Sequence, residues 1–199
     1  MAKLYFSYAA MNAGKSTMLL QAAYNYRERG MRALLLTSSL YAEGGVGMIR
    51  SRLGVASEAE TFTDADDLYD RVREHTLEGK VDCVFIDEAQ FLTGDQVWQL
   101  ARVADRLRIP VMAFGLRTDF QGKLFPGSLA LLAIADELRE IRTICHCGHK
   151  ATMVVRRDME GRPIIEGSQV SIEKSVYVSL CRRHWEEEVG RWPVTKAQA

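Results

Sequence analysis

The stretch Ala9–Thr17, AAMNAGKST, constrains this chain more than any other, because it closes the apolar run LYFSYAA and opens a helical pattern. Residues 4–8 are aromatic and apolar enough for a buried strand, and Thr17–Arg29 carries apolar residues at helical spacing until Gly30. A strand, a glycine-bearing loop and a helix in that order make a cradle for phosphate. Backbone N–H groups point inward, glycine lets the chain approach closely, a lysine bridges the outer phosphates, and a serine hydroxyl serves Mg2+. Gly14, Lys15 and Ser16 supply the second half of G-x-x-x-x-G-K-[ST]. Ala10, Met11, Asn12 and Ala13 form the body of the loop, Thr17 closes it, and Ala9 stands where the pattern has its first glycine.

A second element strengthens that reading. VDCVFID (81–87) is an apolar strand ending in Asp87, the arrangement that brings a carboxylate beside a phosphate loop to hold Mg2+ through water. Glu88 follows at once in DEAQF. Neighbours on an extended chain point opposite ways, but where a strand ends the chain turns, and both carboxylates can face one crevice. One acid then serves the metal and the other a substrate hydroxyl, so Glu88 is the candidate general base. Its rival role is to orient a water, which would make the chain an ATPase. Gln90, in the same run, is assigned to the phosphate side.

The rest of the pattern alternates. RALLLTS (32–38) reads as a strand, 39–56 with Gly44, Gly45, Gly47 and Gly54 as loop-like, the glycines of GGVGMIR (44–50) marking a mobile loop, and Asp64 as the cap of a helix to about Glu78. Thr93 begins a helix to about Arg108, IPVMAFG (109–115) is a strand, and Ser128–Asp136 is a short helix after Pro126-Gly127. Strands alternating with helices predict an α/β fold with a mostly parallel sheet covered on both faces. From Thr143 the pattern changes to a hairpin across Glu160-Gly161 and a loop to Cys181. The expected division is a nucleotide-binding domain over 1–142, a small metal-binding domain over 143–190, and a frayed tail over 191–199.

Cys145 and Cys147 lie close together, and Cys181 precedes His184 by three residues. Three thiolates and an imidazole complete a tetrahedral shell around Zn2+ with no open position, so the site is read as structural. His146 and His149 are left out of it. The metal would tie down a lobe too small to have much core of its own. Twenty-six basic side chains balance twenty-six acidic ones, so no net field gathers nucleic acid or an anionic membrane. The N-terminal run lacks the apolar length of a signal peptide, and the chain is expected to be soluble and cytoplasmic.

AMNAGKST, DEAQF, GLRTDFQGKLF, TICHCG and YVSLCRRH, in that order, resemble the zinc-containing thymidine kinases of bacteria and animal cytosol. The resemblance covers the chain to about Trp185. It implies a P-loop α/β domain with a zinc-anchored lasso domain, usually in a homotetramer, transferring the γ-phosphate of ATP to the 5′-hydroxyl of thymidine with Mg2+. By position it assigns Glu88 as base, Phe91 and Phe120 as aromatic walls of the thymine pocket, Met11 and Leu116 as neighbours of the base, and Tyr177 as the lasso tyrosine. Two departures stand out. Where the family carries Asp-x-Arg or Asp-Arg after the second strand, this chain reads LYAEGG with Glu43, leaving Arg50 or Arg52 as candidate substitutes. Where the lasso usually has Ile-Gly-Gly, it reads SIEKSVYVS. The alternatives are a divergent relative with another pyrimidine nucleoside as acceptor or weak activity, and a nucleotide-binding ATPase or regulator.

Overall fold

The computed structural model describes residues 1–41, 47–169 and 175–190. Strands β1 (Leu4–Ala9), β2 (Ala33–Ser38), β3 (Gly47–Arg50), β4 (Ala56–Phe62), β5 (Cys83–Ile86), β6 (Val111–Leu116) and β7 (Glu137–Glu140) form one sheet in the order β3-β4-β2-β5-β6-β1-β7. β2 is parallel to β4 and β5, β5 to β6, and β1 to β7, while β3 is antiparallel to β4. This is the α/β fold with a mostly parallel sheet that the alternating pattern predicts.

Both faces of the central strands β2, β5, β6 and β1 are largely dry, and the side-chain period of two sorts their residues between them. Leu34, Leu36, Val84, Ile86, Val111 and Ala113 share one face with Leu68 and Val72 of α2 (Leu68–Glu78), Val97 and Leu100 of α3 (Gly94–Arg102) and Leu131 of α4 (Pro126–Ile134). Leu35, Cys83, Phe85 and Phe114 turn to the other face, against Leu19, Leu20 and Ala23 of α1 (Lys15–Glu28). Burial pushes the Cys83 thiol up to about 12, which leaves it an inert core group.

Several boundaries differ from the sequence reading. Asp67, not Asp64, caps α2, accepting from Asp70 N–H at 2.9 Å. α4 begins at Pro126 rather than Ser128, since proline fits a first helical position where no N–H is needed. The stretch expected to be a mobile loop contains β3. A Cβ on Gly47 would stand 2.4 Å from the Ala59 carbonyl oxygen, so this glycine serves strand pairing, not mobility. Gly44 and Gly45 lie outside the described residues, as do Glu43 and the tail over 191–199. Thr93 does open α3, with a capping box to Gln96.

The chain divides into two compact units. One comprises Met1–Tyr8, Gly14–Arg117 and Phe125–Ile141, and the other Ala9–Ala13, Thr118–Leu124 and Arg142–Ala199, described as far as Gly190. The second unit contains strands β8 (Thr143–Ile144), β9 (Lys150–Ala151), β10 (Met153–Arg157), β11 (Pro163–Ile164) and β12 (Val176–Leu180), then α5 (Arg182–Val189). β10 pairs antiparallel with β11 and β12, and Gly161, at φ 83°, makes the turn of the expected hairpin. Its small core is Cys145, Ala151, Val155, Leu180 and Trp185. Among the described residues no helix is long and apolar enough to cross a membrane.

Candidate active site and metal cluster

The phosphate loop is built by the exit of β1 and the start of α1. Ala9 is the last residue of β1, in extended backbone, so a methyl group fits where the usual pattern has glycine. The left-handed turns fall later, at Asn12 (φ 62°) and Gly14 (φ 87°). No side chain caps α1, whose first N–H groups are therefore left for an anion. Lys15 begins the helix and is only 8% exposed. Burial pushes its ammonium down from the usual lysine range, the charges of Glu88 and Asp87 pull it back up, and that of Arg52 opposes them.

β5 delivers the acids. Asp87 is 4% exposed, and its Oδ2 accepts from Ser16 Oγ at 3.1 Å. Its Oδ1 is buried without a hydrogen-bond partner. Burial, and then the charge of Glu88, push the Asp87 carboxyl up to about 7. An orphaned carboxylate oxygen beside a serine hydroxyl suits a hard cation, which takes oxygen ligands. Glu88 sits at φ 53° in the left-handed region, and that turn is what lets two consecutive carboxylates act on the same lysine. Non-glycine residues rarely adopt this conformation, and strain of this kind concentrates at functional sites.

Gln90, assigned to the phosphate side in the sequence, bridges two other groups. Its Nε2 donates to Glu88 Oε2 at 2.5 Å and its Oε1 accepts from Leu116 N–H at 3.0 Å, so it orients the acid. Gly115 gives it room, since a Cβ there would meet Gln90 Oε1 at 3.0 Å. Leu116 is fixed in turn by its carbonyl, which accepts from Ser128 Oγ at 2.5 Å. Phe91 packs edge-on against Phe125 with centroids 5.8 Å apart.

One contact escapes the sequence reading. Thr17 and Ser51 share a hydroxyl hydrogen bond of 2.5 Å, tying the β3–β4 turn to the first turn of α1. It could not be found without knowing that 47–50 is a strand. Arg52, one of the two candidate arginines of the sequence, follows Ser51, and its charge reaches Lys15.

In the second unit, Met11 O accepts from Ser179 Oγ at 2.5 Å, and Asn12 Nδ2 donates to Tyr177 O at 3.3 Å. The backbone of this part of the loop is thus held by β12, the strand that carries Tyr177. Phe120 is buried, with the Arg156 guanidinium over its ring at 4.0 Å. Cys145, Cys147, Cys181 and His184 place their ligand atoms all within 4.8 Å of one another. The Cys147 and Cys181 sulfurs are 3.9 Å apart, and His184 Nδ1 lies 3.3 Å from the Cys145 sulfur and 3.4 Å from that of Cys181. Burial opposes ionisation of Cys145, but N–H groups of Cys147 and Cys181, with His184, bring its thiol down to about 6. A thiolate-rich set at these distances can hold a tetrahedral metal ion. His146, stacked on His184 with centroids 4.3 Å apart, and His149 lie beside the cluster but outside the set.

A phosphate loop opening the first helix of a parallel sheet, with a strand-end aspartate on its serine, defines the class of P-loop nucleotide-binding α/β proteins. The family model for thymidine kinase matches residues 2–185. The chain is 68% identical over 191 residues to a thymidine kinase of Mesorhizobium japonicum, covering 96% of this chain and 94% of that one. It is 64% identical to one from Rhizobium meliloti, with 95% and 98% covered, and 61% identical to one from Ruegeria pomeroyi, with 96% of each covered. The chain belongs to the thymidine kinase family.

Proposed function

We propose that this chain transfers the γ-phosphoryl group of ATP to the 5′-hydroxyl of thymidine, giving dTMP and ADP. The observation that carries this reading is the Asp87-Glu88 pair, in which one acid lies on the phosphate-loop serine and the other is held by Gln90. The loop N–H groups and Lys15 bind and orient the β- and γ-phosphates. Ser16 and Asp87 would hold Mg2+, which supplies charge neutralisation on those phosphates. Glu88 accepts the 5′-hydroxyl proton as the new O–P bond forms and the bond to ADP breaks. Gln90 keeps the carboxylate aimed through that transfer.

The family resemblance assigns the nucleoside to Met11, Phe91, Leu116, Phe120 and Tyr177, and the altered SIEK segment (171–174) lies outside the described residues. The cluster of Cys145, Cys147, Cys181 and His184 would hold a structural Zn2+, supported by its donor set of three sulfurs and one imidazole nitrogen among the described residues. A cytoplasmic homotetramer acting in nucleoside salvage completes the reading, on the family resemblance. The deciding experiment is transfer from labelled ATP with Mg2+ to a panel of nucleosides, run with light scattering for the assembly. Preferential formation of dTMP supports the proposal. Phosphate release without any labelled nucleotide would favour an ATPase instead, and preference for another pyrimidine nucleoside would mark a divergent kinase.

A further inference from the structure

Arg156 of β10 is 5% exposed, and among the described residues no carboxylate is paired with it. Its guanidinium lies over the Phe120 ring at 4.0 Å. Nη1 donates to Ser168 O at 3.1 Å and Nη2 to Glu166 O at 3.4 Å, while Nε is buried without a partner. Gly167, between those two carbonyls, adopts φ 125°, and a Cβ there would meet Nη2 at 2.9 Å. Guanidinium and segment are therefore fitted to one another.

A buried cation answered, among the described residues, by carbonyls and a ring face is a costly way to fill space, and an apolar side chain of similar volume would cost less. What Arg156 alone supplies is a planar fork that grips the segment and a flat charged face that fixes the ring. The same ring is anchored from its backbone, since Trp185 Nε1 donates to Phe120 O at 3.1 Å. The segment has a second tether in Gln169, whose Nε2 donates to Asp119 Oδ2 at 2.8 Å, one residue before Phe120. In sequence the segment leads on to Tyr177.

We propose that Arg156 is a positioning residue for the nucleoside base, setting the Phe120 ring and the 166–168 segment in one rigid arrangement within the second unit. The inference rests on the thymidine kinase reading, and on Phe120 meeting the base. Arg156→Lys keeps the charge but loses the fork, and Arg156→Met keeps the volume but loses both.

Steady-state kinetics with each substrate varied, metal content and melting temperature test this. Both variants are expected to raise the thymidine KM about tenfold, with the KM for ATP and the bound metal unchanged. The Met variant is expected to melt at or above the wild-type temperature. Phe120→Leu is expected to raise the thymidine KM similarly, and the double variant with Arg156→Lys to add little, because the two act as one unit. An unchanged thymidine KM in Arg156→Lys overturns the inference. So does a Met variant that melts lower and loses metal, since that would make Arg156 a structural residue. A wild-type protein that phosphorylates no thymidine overturns the kinase reading itself, a result distinguishable from the variants' behaviour.

Discussion

Glu88 shows how much function one backbone angle can carry. On an extended strand its carboxylate would point away from that of Asp87; at φ 53° it is turned so that both charges act on Lys15. The cost of that conformation is of order 1–3 kcal/mol and is borne by the surrounding structure, chiefly Gln90 and the backbone it braces. If Glu88 takes the proton, Glu88→Gln keeps the size of the side chain and its hydrogen bond while losing the basic site. Turnover should fall by roughly 10²–10⁴-fold with both substrates still bound nearly as well. Near-normal turnover in that variant, read in the same transfer assay, would move the base elsewhere. The pair itself was legible from DEAQF because a strand-end acid beside a phosphate loop has few other uses. Gln90's role was not legible, because nothing in sequence spacing shows a side chain bridging to Leu116.

At the scale of elements, the sequence shows the buried ones and hides the polar ones. β5 reads as a strand because CVFI is wholly buried, and β2 because all of it but Ala33 is. β4 (ASEAETF) and β7 (ELRE) are largely polar segments whose pairing comes from neighbours, in β7's case the register Tyr5 with Glu137. α5 (RRHWEEEV) turns only Trp185 and Val189 to its core, too few apolar residues to announce a helix in the sequence. The β3–β4 turn matters most among these, because Ser51 ties it to Thr17 and Arg52 follows directly. Asp-x-Arg is missing after the second strand, and of the two candidate substitutes Arg52 is the one whose charge reaches Lys15. Both arginines are exposed, Arg50 at the end of β3 and Arg52 in the turn after it. Arg52→Ala is expected to lower kcat at least about tenfold, short of the 10³–10⁵ seen for an arginine wholly committed to the transferring phosphate, and Arg50→Ala to leave it near wild type. Equal rates in both variants and the wild type would make the turn dispensable. The cysteine cluster makes a prediction at the same scale. If the cluster holds zinc, Cys147→Ser should lose it, read by elemental analysis, and the elements from β8 to α5 should then melt before the sheet, because their apolar core among the described residues is small. Full metal content in the serine variant would reassign the ligands.

Across the whole molecule, the site is kept at a cost to stability, and the pH dependence of Asp87 makes that cost measurable. Its carboxyl has a usual value of 3.8 and is pushed up to about 7 by burial and Glu88. The folded chain therefore binds this proton more tightly than the unfolded one. The resulting stability is fully present below about pH 4 and is lost as the pH rises through about 7. At pH 8 the folded protein holds an ionised carboxylate whose Oδ1 has no hydrogen-bond partner, unless a cation answers it. Asp87→Asn resembles the neutral acid, so in magnesium-free buffer at pH 8 it should be more stable than wild type by on the order of 2–4 kcal/mol. That corresponds to a melting temperature higher by roughly 5 °C or more for a chain of this size, and the gap should narrow steadily toward pH 5. Added Mg2+ and ATP should raise the melting temperature of the wild type far more than that of the variant, since ligand binding stabilises only the state that binds it. The variant should also lose phosphoryl transfer. An Asn protein that melts at or below wild type at pH 8 would mean that Lys15 already neutralises Asp87 in the folded chain, and that the site needs no cation to be stable.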